Sequence, residues 1–363
     1  MRTSRPIVKR YKITPQMREY DQFGIEWKPF LMYFHKRCYK SDTVNTDQNG
    51  LRYSLDGKEN RLIHSEQDSV NLFIGGSAAF GIGATSDAST IPSLLNTGGD
   101  EVWLNFGGKA YSSTQELLLF LSMYQNFEKI KKVVIFSGFN DMLIYLMTRT
   151  YKENFGSFFF QNAFFKLMQS KSAVSSMFQQ LVLNRILGAR YGKQFDYGVL
   201  SVREGLEVLF SKKNRNKHLG HLQQIIMDGC KSLDSVLSVI NNNLGTWKTI
   251  AKQHNIELIY VLQPAVSWMF KRVLSVEEQQ IFSILDSARN LSWNKAAISM
   301  RENYCWYSDE IKGLCSKLEV PFHNMNSFMD SPVFDRKFLF VDRVHLTDYG
   351  NKIVADYVRE KIV

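Results

Sequence analysis

Short apolar runs separated by amphipathic stretches are the main pattern of the chain. In the first run, residues 70–74, apolar and polar positions do not alternate, which predicts a strand buried on both faces. The strands predicted in this way are 70–74, 101–105, 132–138, 257–264 and 320–322. Apolar residues recur at helical spacing in 114–127 and 347–362, so a helix is predicted at each. Strands alternating with helices predict an α/β fold with a mostly parallel sheet covered by helices on both faces.

Two long segments fall outside this alternation. Residues 1–66 precede the first predicted strand, and we expect an arm or small hairpin packed on the core, with a tight turn at 47–50. The main domain then spans 67–363, with a mostly helical insertion at about 142–255 that forms a lid or one wall of a site. The phenylalanines of 158–165 could contact a membrane surface or an acyl chain, but we favour the alternative that they form the core of a helical subdomain.

Composition agrees with a folded domain and narrows the classes of partner. Hydrophobic residues make up 44% of the 363, and the net charge of +10 favours a generally basic surface or anionic partners. The four cysteines lack the spacing of a zinc site and the density of a disulfide framework, and we expect neither metal nor cofactor. Without a secretory signal or a long apolar run, the protein is expected to be cytoplasmic. The basic run 212–217 comes without a recognition motif, so nucleic-acid binding is not expected.

The first predicted strand ends in Gly75 and Gly76, and Ser77 follows at the junction with a helix. Helix N-termini favour developing negative charge, so a nucleophilic hydroxyl would be useful there. Most serines in such a place are turn or capping residues, and a phosphate-binding glycine loop is the other alternative. No Gly-Lys-Ser/Thr follows, and the glycine spacing differs from that of the dinucleotide-binding fingerprint. The motifs later in the chain are therefore needed to assign a role to Ser77.

Three later motifs follow predicted strands or open a helix. They occupy residues 105–117, 138–141 and 342–351. Because the carboxyl ends of parallel strands share one edge of a sheet, we expect these motifs to meet Ser77 there. In this order the four blocks resemble those of the SGNH (GDSL-type) hydrolases, and the resemblance extends over the intervening strands. It implies a flavodoxin-like, three-layer α/β/α sandwich with a five-stranded sheet.

The resemblance also implies a role for one or two residues in each block. Ser77 matches the nucleophile, and His345 matches the base that activates it, a role for which histidine is the usual side chain. Asp342 would accept a hydrogen bond from the other ring nitrogen and fix the tautomer. The oxyanion hole would consist of the backbone amides of Ser77 and Ala110 and the side-chain amide of Asn140.

Two positions depart from the family pattern. The usual acidic residue before the serine is Gly76 here, and the usual glycine of the second block is Ala110. Alanine can donate its N–H if its backbone angles are allowed, and the alternative donors are Gly107 and Gly108 in a shifted loop. The remaining histidines are expected to be surface or hydrogen-bonded core residues: His35, His64, His218, His221, His254 and His323.

The function implied by the resemblance is a serine esterase that works through an acyl-enzyme. It would remove a small acyl group, acetyl in many relatives, from a hydroxyl of a carbohydrate, so a small-molecule or glycan ester is the expected substrate. Two alternatives stay open: an O-acyltransferase that uses the same serine intermediate, and a non-catalytic carbohydrate-binding relative. The sequence does not indicate an oligomeric state.

Overall fold

The computed structural model describes residues 5–56, 69–97, 101–148, 234–288 and 291–362. The helices span Arg5–Arg10 (α1), Met17–Gln22 (α2), Ser77–Phe80 (α3), Ile91–Asn96 (α4), Ser113–Leu121 (α5), Phe139–Thr148 (α6), Asp234–His254 (α7), Val276–Ala288 (α8), Leu291–Glu302 (α9), Tyr304–Lys317 (α10), Met325–Met329 (α11) and Asp348–Lys361 (α12). The strands span Ile25–Glu26 (β1), Phe34–His35 (β2), Val70–Gly75 (β3), Trp103–Gly107 (β4), Ile130–Ser137 (β5), Glu257–Leu262 (β6) and Phe322–Asn324 (β7).

The centre of the structure is a five-stranded sheet in the order β4-β3-β5-β6-β7. All neighbouring strands of this sheet run parallel, and β3, the first of its five strands along the chain, lies second in the sheet, which is the flavodoxin-like order. Every residue of β3 is buried, as a strand covered on both faces requires. The predicted α/β class with a parallel five-stranded sheet is confirmed.

Side chains of the strands alternate between two helical layers. On one face Phe73, Val134 and Ile259 belong to a buried cluster that also contains residues of α4, α8 and α12. Helices α5, α7 and α10 contact the strands as well, and the rings of Phe120 and Trp247 lie 4.4 Å apart where α5 meets α7. The two helical layers and the sheet form the predicted three-layer arrangement.

Two strands lie further along the chain than the apolar runs predicted. β4 pairs with β3 up to Gly107, which lies opposite Gly75, so its end is beyond the predicted residue 105. β7 occupies 322–324 because these residues align with the end of β6. Hydrogen bonds to a partner strand set the ends of a strand, and an apolar run does not contain that information.

Helix α5 is shorter than predicted. It ends at Leu121, and Met123 leaves the helical region with φ of −135°, before a single 3₁₀ turn over Tyr124–Asn126. Apolar spacing continues through this region because Met123 and Phe127, on either side of the turn, are both buried. The pattern therefore predicted one helix to 127 where the chain forms two separate pieces.

The segment before β3 consists of α1, α2, the antiparallel pair β1–β2 and loops. The turn at 47–50 is present, with the N–H of Gly50 donating to the carbonyl of Asp47 at 3.1 Å. Tyr20 and Phe23 of this segment share a buried cluster with Phe80, at the end of α3. Residues 57–68 lie outside the described residues.

The insertion predicted at about 142–255 is described only at its two ends. Helix α6 runs to Thr148 and α7 begins at Asp234. Residues 149–233, which include the phenylalanine-rich part and the basic run, lie outside the described residues. Within the described ranges, no helix combines the length and apolar character that a membrane span needs.

Candidate active site

Ser77 is the first residue of α3 and lies just beyond the carboxyl end of β3. Two glycines allow the short helix to pack this close to the sheet. A Cβ on Gly75 would lie 2.1 Å from the carbonyl oxygen of Phe136, and one on Gly107 would lie 2.0 Å from the backbone nitrogen of Phe80. No side chain fits at either position, so the glycines place Ser77 where the sequence predicted it.

His345 and Asp342 share a tight loop that ends just before α12. An antiparallel bridge between Phe340 and Leu346 closes the loop, and the N–H of Val341 donates to the carbonyl of His345 at 2.9 Å. The two side chains therefore come from a hairpin with few free dihedral angles. Such a loop holds a histidine and its carboxylate partner in one relative orientation.

The His345 loop is attached to the chain that follows Ser77. The backbone N–H of Thr85 donates to Asp348 at 2.8 Å, across 263 positions of sequence. A Cβ on Gly83 would lie 2.3 Å from the carbonyl oxygen of Leu346, so the two backbones are in direct contact. These contacts join the start of α12 to the loop after α3.

The side chain of His345 bridges those of Ser77 and Asp342. Its Nε2 lies 2.7 Å from Oγ of Ser77, and its Nδ1 lies 2.7 Å from Oδ2 of Asp342. With the ring proton on Nδ1, His345 donates to the carboxylate, and Nε2 accepts the serine O–H. The His345 side chain is 19% exposed, and Ser77 is 9% exposed. The three predicted residues form one hydrogen-bonded chain at the surface of the core.

The local environment keeps Asp342 ionised. Burial by itself raises the pKa of this carboxyl, but interaction with His345 and the nearby charge of Arg10 hold the pKa below its ordinary value. Its Oδ1 accepts the backbone N–H groups of Val344 and His345, both at 2.9 Å. A carboxylate held in this way can only accept from the imidazole, which fixes the tautomer.

Helix α6 begins directly after Gly138, which has φ of +104°, and Asn140 lies in its first turn. Its Nδ2 donates to the carbonyl oxygen of Tyr111 at 2.7 Å, and an amide NH₂ carries a second hydrogen. A Cβ on Gly76 would lie 2.7 Å from the same Nδ2. The glycine that stands in place of the family's acidic residue therefore leaves room for the amide beside Ser77.

Three backbone amides of the second block are candidate oxyanion donors, those of Gly107, Gly108 and Ala110, and their hydrogen bonds differ. The N–H of Gly107 donates to Oδ1 of Asn105 at 3.0 Å, and that of Gly108 donates to the carbonyl of Gly75 at 2.9 Å. Within the described ranges, the N–H of Ala110 has no hydrogen-bond partner. Ala110 also has φ of +59°, the left-handed conformation in which a glycine is usual. The hydrogen bonds thus favour Ala110 over the two glycines as a donor.

Residues of the N-terminal segment also reach the site, which the sequence did not predict. His35 is a buried core residue, and its Nε2 accepts the backbone N–H of Lys109 at 2.9 Å. The hydroxyl of Tyr33 donates to the carbonyl of Ala110 at 2.9 Å. Each pair is more than seventy positions apart in sequence, so only the aromatic-rich character of this segment could have drawn attention to it.

No cluster of side chains that could hold a metal ion occurs in the ranges described above. A cavity of about 470 Å³ lies beside the Asp342–His345 loop and includes Arg343 in its wall. Arg301 and Phe270 also line this cavity, and the guanidinium of Arg301 lies 4.2 Å from the ring centroid of Phe270. Neither Ser77 nor His345 lines it, so the hydrogen-bonded chain lies outside this cavity.

Neither a protein family model nor a curated protein matches the sequence significantly. Among solved structures, an acetyl xylan esterase is 12% identical with a TM-score of 0.39, over 81% of this chain and 99% of that one. A GDSL-like lipase from Bacteroides thetaiotaomicron is 14% identical with a TM-score of 0.41, over 82% of this chain and 90% of that one. TM-scores of this size carry no weight for function, which has to be inferred from the side chains themselves.

Proposed function

We propose that this chain is an SGNH-type serine hydrolase that cleaves carboxylic esters. The observation that carries the proposal is the continuous hydrogen-bonded chain from Ser77 Oγ through His345 to Asp342, with both contacts at 2.7 Å. A nucleophile, a base within proton-transfer reach and a group that orients the base are the requirements for acyl transfer through serine. A binding protein would have no need for this arrangement.

In the proposed acylation step, Oγ of Ser77 attacks the ester carbonyl carbon while its proton passes to Nε2 of His345. The resulting imidazolium stays hydrogen-bonded to Asp342, whose negative charge stabilises it. When the tetrahedral intermediate collapses, the bond to the alcohol oxygen breaks and His345 returns the proton to that oxygen. The acyl group then remains on Ser77 as an ester.

In the deacylation step, His345 takes a proton from water, and the hydroxide oxygen attacks the acyl carbon. The second tetrahedral intermediate releases the carboxylic acid, and Ser77 recovers its proton from His345. In both steps, we assign oxyanion stabilisation to the amides of Ser77 and Ala110 and to Nδ2 of Asn140. Losing one such donor typically costs about 10²–10³ in rate.

A short acyl group on a carbohydrate is the substrate class we propose. Ser77 and Asn140 each keep only 9% of their surface exposed, and such limited access favours a small acyl group such as acetyl. The carbohydrate part is supported by the resemblance of the four sequence blocks to the SGNH hydrolases. Transfer to an acceptor alcohol would use the same acyl-enzyme, and the reaction products distinguish it from hydrolysis.

The test is a series of p-nitrophenyl esters of increasing chain length, assayed with the wild type and Ser77→Ala. We expect hydrolysis that is fastest with acetate and is abolished in Ser77→Ala, because the variant lacks the attacking oxygen. Ser122→Ala, which changes an exposed serine at the end of α5, serves as the control and should keep full activity. Retained turnover in Ser77→Ala would refute the assignment.

Two further measurements separate the alternatives. A fluorophosphonate probe should label the wild type at Ser77, and failure to label together with absent turnover would favour the binding protein. Product analysis with an acetyl donor and free sugars should yield acetate alone. Acetylated sugar as the main product would replace hydrolysis with acyl transfer.

A further inference from the structure

Residues 31–35, which end in β2 and which we call the arm strand, lie along residues 109–115. We call 109–115, which include the first three residues of α5, the oxyanion loop. Four hydrogen bonds join them, and each uses a side chain of one segment and the backbone of the other. They run from Tyr33 Oη to Ala110 O at 2.9 Å, from Tyr111 Oη to Tyr33 O at 2.6 Å, from Gln115 Nε2 to Leu31 O at 3.0 Å and from Lys109 N to His35 Nε2 at 2.9 Å. The contacts cover the loop on both sides of Ala110.

The arm strand can hold the loop because its polar side chains have little freedom. Nδ1 of His35 lies 3.0 Å from the carbonyl oxygen of Gly50, to which it donates, so Nε2 is left as the acceptor for Lys109. Tyr33, His35 and Tyr111 are each no more than 1% exposed. A buried hydrogen bond of this kind is costly to break, because water cannot replace the lost partner.

Ala110 is the residue that needs such support. An alanine in the left-handed region is less stable than in its ordinary conformations, since Cβ approaches the following carbonyl oxygen. Its φ of +59° therefore depends on contacts that hold the neighbouring peptide groups. Within the loop, the N–H of Tyr111 donates to the carbonyl of Gly108 at 3.1 Å. From the N-terminal segment come the bond from Tyr33 to the carbonyl of Ala110 itself and the bond from Lys109 N–H to His35.

We propose that Tyr33 and His35 are positioning residues for the esterase, which hold Ala110 in its left-handed conformation with its N–H directed to the oxyanion. This inference rests on the proposed function of the site. Neither side chain contacts the reacting atoms, and both act through the backbone of the oxyanion loop. The N-terminal segment is thereby a part of the catalytic domain, and the alanine in place of the family's glycine depends on it.

The kinetic test replaces Tyr33 with phenylalanine, which removes only the hydroxyl. We expect kcat on p-nitrophenyl acetate to fall at least about tenfold and less than the roughly 10²–10³ of a lost donor, with KM nearly unchanged. Tyr39→Phe is the matched control, because Tyr39 lies in the same segment and its hydroxyl donates to Glu19 instead. Equal effects of the two substitutions on kcat would overturn the proposal.

A second substitution separates positioning from general damage to the fold. Glycine adopts the left-handed region without strain, so Ala110→Gly should make the loop less dependent on Tyr33. We expect Tyr33→Phe to lower kcat clearly in the alanine background and only slightly in the glycine background. If the loss is the same in both, the hydroxyl does not act through the conformation of residue 110.

Amide hydrogen exchange tests whether Tyr33 holds the oxyanion loop in place, and it does so without relying on enzymatic activity. Amide exchange across residues 109–111, measured by mass spectrometry at equal fractions folded, should be faster in Tyr33→Phe than in Tyr39→Phe. If the wild type fails to hydrolyse esters, the proposed function fails and the catalytic role of Tyr33 fails with it. If the wild type is active and exchange is unchanged in Tyr33→Phe, only the positioning role is rejected.

Discussion

At the scale of single residues, the site depends on which atoms can give and which can accept a proton. Asp342 uses Oδ1 for two backbone N–H groups and Oδ2 for Nδ1 of His345. The ionised carboxylate has no hydrogen to donate to Nδ1 of His345, so the ring proton must stay on Nδ1. Nε2 is consequently a free base that faces Ser77 at 2.7 Å.

Asp342→Asn should reverse this arrangement. The side-chain oxygen of asparagine would keep the two backbone bonds, so its NH₂ would face Nδ1 of His345 and force the ring proton to Nε2. Nε2 could then no longer accept the proton of Ser77, and we expect kcat to fall on the order of 10⁴-fold. The measurement is steady-state hydrolysis of p-nitrophenyl acetate.

Asp356→Asn is the control for that prediction, because Asp356 pairs with Lys352 and Arg359 on its own helix, α12. It should keep wild-type kcat. A loss of less than tenfold in Asp342→Asn would mean that the carboxylate does not set the tautomer.

At the scale of elements, helix α3 is too short to be stable alone and is held by its neighbours. Arg52, from the N-terminal segment, donates to the carbonyl oxygens of Phe80 and Gly81 at 3.1 and 2.9 Å, where α3 ends. The same guanidinium donates to Asp87 at 2.8 Å, and the two side chains are 0% and 5% exposed. A cation at the carboxyl end of a helix is favourable, and Asp87 compensates its burial.

Asp87→Ala should therefore destabilise the fold strongly. It leaves the buried charge of Arg52 without its carboxylate, and breaking a buried pair in this way costs about 3–5 kcal/mol. The free energy of unfolding, measured by urea denaturation, gives the comparison with the wild type. Glu26→Gln is the matched control, since Glu26 and Arg37 form an exposed pair, and we expect a change below about 1 kcal/mol. Similar losses in both variants would contradict the special role of Arg52.

At the scale of the whole molecule, the N-terminal segment and the sheet domain share buried side chains and should unfold together. His35 is central to this contact, and burial lowers the pKa of its imidazole from 6.5 to about 3. The folded protein therefore keeps His35 neutral over a pH range in which the unfolded chain binds a proton. The share of the unfolding free energy that depends on neutral His35 is fully present above about pH 6.5 and is lost as the pH falls towards 3.

The melting temperature should accordingly decrease between pH 7 and pH 5, with at most about 1.4 kcal/mol of stability lost per pH unit for this single proton. His35→Gln removes the titrating group, so its melting temperature should be lower at pH 7 but depend less on pH. His254→Gln, at an exposed position, should keep the wild-type dependence. The same pH dependence in His35→Gln and the wild type would show that another group is responsible.

Much of the fold and the central residues of the site were predictable, because they depend on local patterns. Unbroken apolar runs imply buried parallel strands, and parallel strands bring their carboxyl ends to one edge. Ser77 and Asn140 each follow such a run within a few residues, and Asp342 and His345 come just before the helix predicted at 347–362. The helical insertion and the cytoplasmic location stay predictions, since 149–233 lie outside the described residues and no observation bears on the compartment.

What the amino-acid sequence determined by itself is the order of the elements and the identity of the chemical groups that the sheet brings together. Only the tertiary structure decided which of the three candidate amides lacks a partner among the described residues, because the N–H of Gly107 donates to Oδ1 of Asn105 and that of Gly108 to the carbonyl of Gly75. It also decided that Tyr33 and His35 form hydrogen bonds with the backbone of Ala110 and Lys109. The physical reason is that hydrogen bonds between segments more than seventy residues apart follow from packing, and no local pattern of side chains encodes them.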